Sequence, residues 1–395
     1  MQAGPGTNER ELTWLAVLFV LAGLGIRASG LSFVSFDMKD WLIGWYDQIA
    51  TDGFRALREP FSNYTPPYLY LLALATTTAS FLPKVAAIKL ISIFFDLCNA
   101  FVVFRILKIK YAQGATALLG AAGFLLLPTI FLNSAFWGQA DSVYTFFLLV
   151  CLYYLIMKQP LAAMIFLGIA FSFKALPIFL APFLLLLAVR KHIPWWSFGI
   201  IPLVYALMMI PAWLTGRPFL DLMTIYLSQA DEYNGLSMHA PTLYNFIPAE
   251  FYAPALWIGS VLTVLVIAFW VWVYTRKIKD FTPEVILLCA LASAALVPFF
   301  LPKMHDRYFY LADVLSFLVA FYVPRLWYLA VGYQIVSGMA YSMFLLPSVL
   351  TIKRRAADTV LGSAGIVNTL VMGLLFWAQW REIRSINASA RSKPT

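Results

Sequence analysis

The chain of 395 residues is 62% hydrophobic and only 12% charged, and its mean hydropathy is +0.80. A soluble domain carries about 45–50% apolar and about 25% charged residues, so this composition excludes a soluble globular protein and a disordered one. The formal net charge of +9 is what cytoplasmic loops rich in Lys and Arg give a membrane protein, so it does not indicate nucleic-acid binding. The sequence therefore predicts an all-α, polytopic membrane protein.

Apolar segments long enough to approach a membrane span predict about 12 transmembrane helices, within a range of about 10–13. The segments are 12–29, 85–107, 115–132, 142–157, 161–173, 176–189, 196–214, 255–275, 283–301, 308–323, 326–345 and 360–380. The apolar segment Tyr68–Leu82 is predicted to lie at the interface as a juxtamembrane helix. If it does not cross, nearly all basic loops face the cytoplasm together with both termini. The cluster Lys353-Arg354-Arg355 is the exception.

We expect one membrane domain over 1–395, divided into three parts. A first outer loop with juxtamembrane helices covers 30–84, the core of helices and outer loops covers 85–325, and C-terminal helices with a basic cytoplasmic tail cover 326–395. The polar loops then gather on the outer side, at 30–67, 133–142, around Lys174, at 215–254 and at 302–307. This distribution indicates a site at the outer membrane boundary.

The first outer loop carries a candidate base. Asp37, Asp40 and Trp41 are spaced i, i+3 and i+4, so they share a face if a short helix begins here. A carboxylate just above the bilayer can act as a general base toward a hydroxyl, or can bind a metal. A solvated loop with ordinary charges is the alternative.

Two further outer segments carry polar and aromatic residues. The double proline after Tyr64 is expected to open a helix. The turn from Asn133 to Ser142 holds Trp137, Gln139 and Asp141, a ring, an amide and a carboxylate that together suit a sugar. Gly138 between them allows a turn with positive φ. An interfacial tryptophan in a polar turn explains the same residues without a ligand.

Cationic groups follow along the chain. Lys174 lies between apolar runs, where it can bind an anion such as a lipid phosphate or snorkel to the interface. His305 and Arg307, in a charged outer loop, can also hold a phosphate. His239 and the pair Asp231-Glu232 either contact an acceptor or are solvated. For Asp96, inside a span, we expect a hydrogen bond between helices.

Taken in order, these motifs resemble those of the GT-C superfamily of membrane glycosyltransferases, and most closely its mannosyltransferase-like members related to GPI-anchor mannosyltransferases. The resemblance covers about 30–325. The residues that carry it are Asp37, the Tyr-x-Pro-Pro motif of Tyr64, Pro66 and Pro67, the Trp-Gly-Gln-x-Asp turn of Trp137, Gly138, Gln139 and Asp141, Lys174, and the loop of His305, Asp306, Arg307 and Tyr308.

The resemblance implies an inverting enzyme that moves a hexose, mannose rather than glucose by preference, from a polyprenyl or dolichyl phosphate to an acceptor hydroxyl. It implies three sets of residues. Asp37 would be the base, with Asp40 as a second candidate acid; Tyr64, Trp137, Gln139 and Asp141 would line the sugar pocket; Lys174, His305 and Arg307 would bind the donor phosphate. The acceptor would be a lipid or glycan. Other expectations are membrane lipids as surroundings, no nucleic acid, and a bacterial inner membrane or, alternatively, the endoplasmic reticulum.

Two features depart from the family pattern. Asp306 stands where glutamate is more usual, and Asp37 and Asp40 are three residues apart rather than two. These departures leave the choice of base open, and they also leave open whether a divalent metal is a cofactor. A lipid-linked sugar flippase or secondary transporter is the rival interpretation, although no paired halves are visible in the sequence. A non-catalytic scaffold would not need carboxylates and cations on one side.

Overall fold

The computed structural model describes residues 5–229, 235–345 and 354–391, with side chains over 9–229, 235–345 and 359–388. The α-helices are, in chain order, α1 (Pro5–Gly30), α2 (Ile43–Asp52), α3 (Pro66–Thr76), α4 (Lys84–Lys110), α5 (Ala115–Phe124), α6 (Pro128–Phe131), α7 (Asp141–Ile156), α8 (Pro160–Phe173), α9 (Ala181–Val189), α10 (Ile200–Leu214), α11 (Phe219–Met223), α12 (Ile225–Gln229), α13 (Tyr252–Lys277), α14 (Pro283–Phe300), α15 (Tyr310–Tyr322), α16 (Trp327–Leu345) and α17 (Arg354–Arg391). Two π-helical turns, Met38–Leu42 and Leu132–Trp137, and two short strands, β1 (Ser237–Met238) and β2 (Met304–His305), lie between them.

Within these residues, 6 helices are long and apolar enough to cross a membrane, or 7 if the bent pair α5 and α6 counts as one span. The prediction of an all-α, multi-pass membrane protein is confirmed. The count of twelve crossings is not, because α7, α8, α15 and the segment Leu176–Val189 are apolar but have only 10–17 residues. At 1.5 Å per residue such helices rise about 15–26 Å, less than the ~30 Å hydrocarbon core.

Helix α3 begins at Pro66, as the double proline predicts, and ends after 11 residues at Thr76. Eleven residues rise about 16 Å, roughly half of the hydrocarbon thickness. The helix is therefore too short to cross by itself and also stops short of Leu82, the end of the apolar segment.

The chain packs as two compact units. The first comprises Met1–Tyr154, Leu161–Pro177 and Trp196–Glu232, and the second comprises Leu155–Pro160, Ile178–Trp195 and Tyr233–Thr395. In the first unit, α5 packs against both α1 and α4. Small residues allow this approach: a Cβ on Gly23 of α1 would come within 3.0 Å of the Leu125 side chain, and one on Gly30 would collide with the backbone of Ala135.

A buried ion pair joins α1 to α4 in this unit. Arg27 donates to Asp96 Oδ2 from Nε at 2.9 Å and approaches it with Nη2 at 2.8 Å. Both side chains are at most 2% exposed. Ser134 also donates to Asp96 Oδ2, at 2.5 Å. The expected bond between helices at Asp96 is thus confirmed, although the sequence did not identify Arg27 as its partner.

In the second unit, α15 packs between α14 and α16, and α17 packs along α16. Helix α14 is its centre, with 83% of its residues buried. Polar contacts tie the helices together: Ser337 donates to Asp313 Oδ1 at 2.8 Å, and Arg325 pairs with Glu382 of α17. Strands β1 and β2 pair in parallel, with Ser237 opposite Met304 and Met238 opposite His305.

Candidate functional site

The Asp37 carboxylate lies where the chain leaves α1 and enters the π-helical turn Met38–Leu42. Its Oδ2 accepts two hydrogen bonds, from Trp137 Nε1 at 2.9 Å and from Gln139 Nε2 at 2.5 Å. The residue itself is half-buried. The structure thus brings the segment after α1 into contact with a turn about 100 residues further along the chain, and the contact orients the carboxylate.

Tyr64 joins the same network through its hydroxyl, which donates to Gln139 Oε1 at 3.0 Å. The position of Tyr64 follows from the start of α3. The Thr65 hydroxyl donates to the Ser172 and Phe173 carbonyls at 2.7 and 3.0 Å, which anchors the start of α3 to the end of α8. Gln139 therefore bridges Tyr64 and Asp37, with its amide N–H toward the carboxylate and its carbonyl toward the hydroxyl.

Lys174, directly after α8, forms an ion pair with Asp141 Oδ1. The other Asp141 oxygen, Oδ2, accepts from Asn133 Nδ2 at 2.8 Å. The Lys174 ammonium also lies over the rings of Tyr64 and Tyr144, at 5.3 and 5.9 Å from their centroids. Because Asp141 already compensates this charge, a phosphate would have to share the Lys174 ammonium with a fully buried carboxylate.

A polar stripe on α4 makes hydrogen bonds to these segments, and the sequence analysis did not predict it as a stripe. Lys89 Nζ donates to the Gly30 and Phe33 carbonyls at 2.7 and 2.5 Å, and Ser92 Oγ donates to the Gln139 carbonyl at 2.7 Å. Asn99 Nδ2 donates to the Ser142 carbonyl at 2.9 Å. With Asp96, these residues have the spacing i, i+3, i+7 and i+10 that places side chains on one helix face.

Gly138 is the turn that lets Trp137 and Gln139 both reach Asp37. Its φ is +80°, the left-handed region that was expected for it. A Cβ at this position would overlap the Met38 side chain and touch that of Lys89. The backbone conformation therefore favours glycine here, and a Cβ would also make the end of the Met38 side chain move.

The turn that holds the predicted sugar-pocket residues is buried. Trp137, Gln139 and Asp141 are 1%, 3% and 0% exposed, so their surfaces are covered by protein. Their role in a sugar pocket stays a prediction. The contact of Trp137 in the network is the N–H donated to Asp37. Trp41, by contrast, is 48% exposed.

Three predicted residues of the second unit, His239, His305 and Arg307, lie in or next to β1 and β2. The backbones of His239 and His305 form an isolated antiparallel β-bridge, so the structure brings these two residues together. Arg307 lies next to Asp306, with Nη1 3.7 Å from Oδ1 of a carboxylate that is 1% exposed. The His305 and Tyr308 rings lie 5.1 Å apart. Lys303 and His239 both have positive φ, which marks tight turns on either side of the strands.

The remaining predicted residues are less constrained. Asp40 is exposed and makes none of the hydrogen bonds that hold Asp37. Within the described ranges, no group of three or more His, Cys, Asp or Glu side chains is arranged to hold a metal ion. Asp231, Glu232 and Lys353 lie outside the described residues, and so do the side chains of Arg354 and Arg355.

No known protein-family model matches the chain, and no curated protein sequence is significantly similar to it.

Proposed function

We propose that the protein is an inverting glycosyltransferase of the GT-C type that moves a hexose from a polyprenyl phosphate to an acceptor hydroxyl. Mannose is the favoured sugar and glucose the second choice. The observation that supports this most is the half-buried Asp37 carboxylate, held by the indole N–H of Trp137 and the amide N–H of Gln139. Asp37 is the general base in this proposal.

The chemistry needs one positioned carboxylate. Asp37 accepts the proton of the acceptor hydroxyl while the acceptor oxygen forms a bond to the anomeric carbon of the sugar. The bond from that carbon to the phosphate oxygen breaks, and the lipid phosphate leaves with the electron pair. General base catalysis of this kind contributes about 10²–10⁴-fold in rate. The two hydrogen bonds on Oδ2 support such a role because they fix the direction of the carboxylate.

The phosphate of the leaving group needs cationic partners to stabilise its developing charge. Lys174, His305 and Arg307 remain the residues proposed for this role. Lys174 belongs to the same unit as Asp37, and its ion pair with Asp141 keeps the ammonium beside the Tyr64 ring. The wider setting is also part of the proposal: about twelve crossings, both termini in the cytoplasm, and a reaction on the outer face of a bacterial inner membrane or the lumenal face of the endoplasmic reticulum.

Sugar transfer by the purified protein tests the proposal. Wild type and the variant Asp37→Asn would be given polyprenyl-phosphate mannose or glucose with a labelled sugar, and transfer and donor hydrolysis would be measured. Asp47→Asn is the matched control, because Asp47 is an exposed carboxylate of the same loop that pairs with the exposed Lys84. We expect activity in wild type and control and loss of activity in Asp37→Asn.

One observation favours a second function, a lipid-linked sugar flippase. Helices α5 and α6, the latter continued by the π-helical turn to Trp137, are bent by 49° at a short break. Broken helices are typical of transporters, where they line the substrate site. Movement of a fluorescent lipid-linked sugar across liposomes, without any sugar transfer, would favour this function over the enzyme.

A further inference from the structure

A cavity of about 720 Å³ lies in the first unit, outside the hydrogen-bond network of Asp37. Small-molecule sites usually have volumes of about 300–1,000 Å³, so this cavity is large enough for a ligand. Its walls come from the π-helical turn after Asp37, the segment before α3, and the region of α11 and α12. They include Trp41, Phe61, Arg217, Asp221, Thr224 and Ser228.

Arg217 is the unusual residue of this cavity. It is only 6% exposed, and its Nε is buried without a hydrogen-bond partner among the described residues. It follows Gly216, whose φ of +103° forms the turn after α10. Burial lowers the pKa of the guanidinium, and the charge of Asp221 opposes that shift. Arg217 is part of the cavity wall, so its guanidinium can donate to a ligand with acceptor oxygens there.

The other polar groups of the wall discriminate between ligand classes. Asp221 contributes an exposed carboxylate to the same cavity and would repel a phosphate or a carboxylate ligand. Adjacent hydroxyls of a sugar can instead accept from Arg217 and donate to Asp221. The hydroxyl groups of Thr224 and Ser228 add donors and acceptors to the wall. The Trp41 ring, 48% exposed, provides an apolar face on which a sugar ring can lie.

Aromatic contacts connect the cavity to the candidate base. The Trp41 ring lies 6.5 Å from that of Trp45, which lies 5.1 Å from that of Tyr64. Tyr64 bonds Gln139, and Gln139 donates to Asp37. Trp41 is also four residues after Asp37 in the chain. The cavity and the carboxylate network are therefore parts of one packed region of the first unit.

We propose that this cavity binds the neutral sugar portion of the acceptor, with Arg217 and Asp221 holding adjacent hydroxyls and Trp41 stacking on the ring. The inference rests on the proposed function, whose acceptor it identifies as a carbohydrate without a charged group.

Saturation-transfer difference NMR on the purified full-length protein tests this inference without turnover. The probes are methyl α-mannopyranoside, methyl α-glucopyranoside and inorganic phosphate, the last followed by phosphorus line broadening. Wild type is compared with Arg217→Gln, with Ser228→Trp, which fills the cavity and leaves Arg217 in place, and with the control Arg55→Gln, a change at an exposed arginine.

We expect saturation of the ring protons of at least one hexoside by wild type and by Arg55→Gln, and a loss of at least 5-fold in both Arg217→Gln and Ser228→Trp. Absence of hexoside binding to wild type, or binding that survives both cavity variants, would overturn the inference. Phosphate binding that depends on Arg217 would also overturn it. Hexoside binding with no sugar transfer would refute only the proposed function. Sugar transfer by a protein whose hexoside binding does not depend on Arg217 would refute only this inference.

Discussion

Removing either partner of the buried pair Arg27 and Asp96 is expected to lower the free energy of unfolding, and the two substitutions are expected to do so by different amounts. The variant Asp96→Asn removes a charge without leaving a cavity. Arg27 then keeps hydrogen bonds from Nη1 to the Leu125 and Gly23 carbonyls, at 2.7 and 3.1 Å. Ser134 keeps its second acceptor, the Ile130 carbonyl. Arg27 and Ser134 therefore both keep hydrogen bonds after the Asp96 charge is lost. We expect the free energy of unfolding to fall by about 3 kcal/mol, the lower end of the range for a broken buried pair.

The reverse change, Arg27→Met, is expected to cost more. It leaves a fully buried carboxylate whose remaining described partner is the Ser134 hydroxyl. The upper end of the same range, about 5 kcal/mol, applies. In the double variant neither unpaired charge remains, so its cost should fall below the sum of the single costs by about 2–3 kcal/mol.

Unfolding of the purified protein in mixed micelles with increasing sodium dodecyl sulfate, followed by tryptophan fluorescence, measures these free energies. Costs of the two single variants that add up in the double variant within about 0.5 kcal/mol would show that the pair is not coupled. A larger cost for Asp96→Asn than for Arg27→Met would contradict the distribution of hydrogen bonds around the pair.

Three further changes test the site and its supports. Gly138→Ala should lower the free energy of unfolding by about 1–2 kcal/mol, because the φ of +80° strains any residue with a Cβ. Gly44→Ala, on an open helix surface, should raise it by about 0.5–1 kcal/mol. Equal effects of the two variants in the same unfolding assay would contradict this prediction. Trp137→Phe keeps the ring but removes the N–H donated to Asp37, so kcat for sugar transfer should fall about 10-fold or more, and an unchanged kcat would show that this bond does not position the base. Arg307→Lys should raise the donor KM about 10-fold if Arg307 holds the phosphate through its planar fork, and initial rates that give an unchanged KM would remove it from donor binding.

Local signals were sufficient to predict the start of α3 and one special turn. The double proline opens α3, and Gly138 takes the positive φ that glycine allows. The polar stripe on α4 could also have been predicted, because polar residues at helical spacing inside an apolar span indicate a face that contacts other protein segments. Its residues are Lys89, Ser92, Asp96 and Asn99. All four residues of the stripe do contact segments outside α4.

Contacts between distant segments were less predictable. Nothing in the local sequence indicates whether Trp137 is exposed, because its ring is covered by segments about 100 residues away. The β-bridge between the backbones of His239 and His305 is an isolated pair next to strands of only two residues each, too short for any periodic signal. Arg217 stands in a long polar loop without periodicity, and only its burial beside a cavity distinguishes it from an ordinary surface charge.

The measurement that tests the account most directly is the rate of sugar transfer from polyprenyl-phosphate mannose by wild type, Asp37→Asn and the control Asp47→Asn. General base catalysis by Asp37 predicts a fall of about 10²–10⁴-fold in the first variant and a rate near wild type in the second, with all three proteins unfolding at similar detergent concentrations. Transfer that survives Asp37→Asn would contradict the assignment of the base. A folded wild type that turns over neither the mannose nor the glucose donor, yet moves a lipid-linked sugar across liposomes, would contradict the enzyme itself.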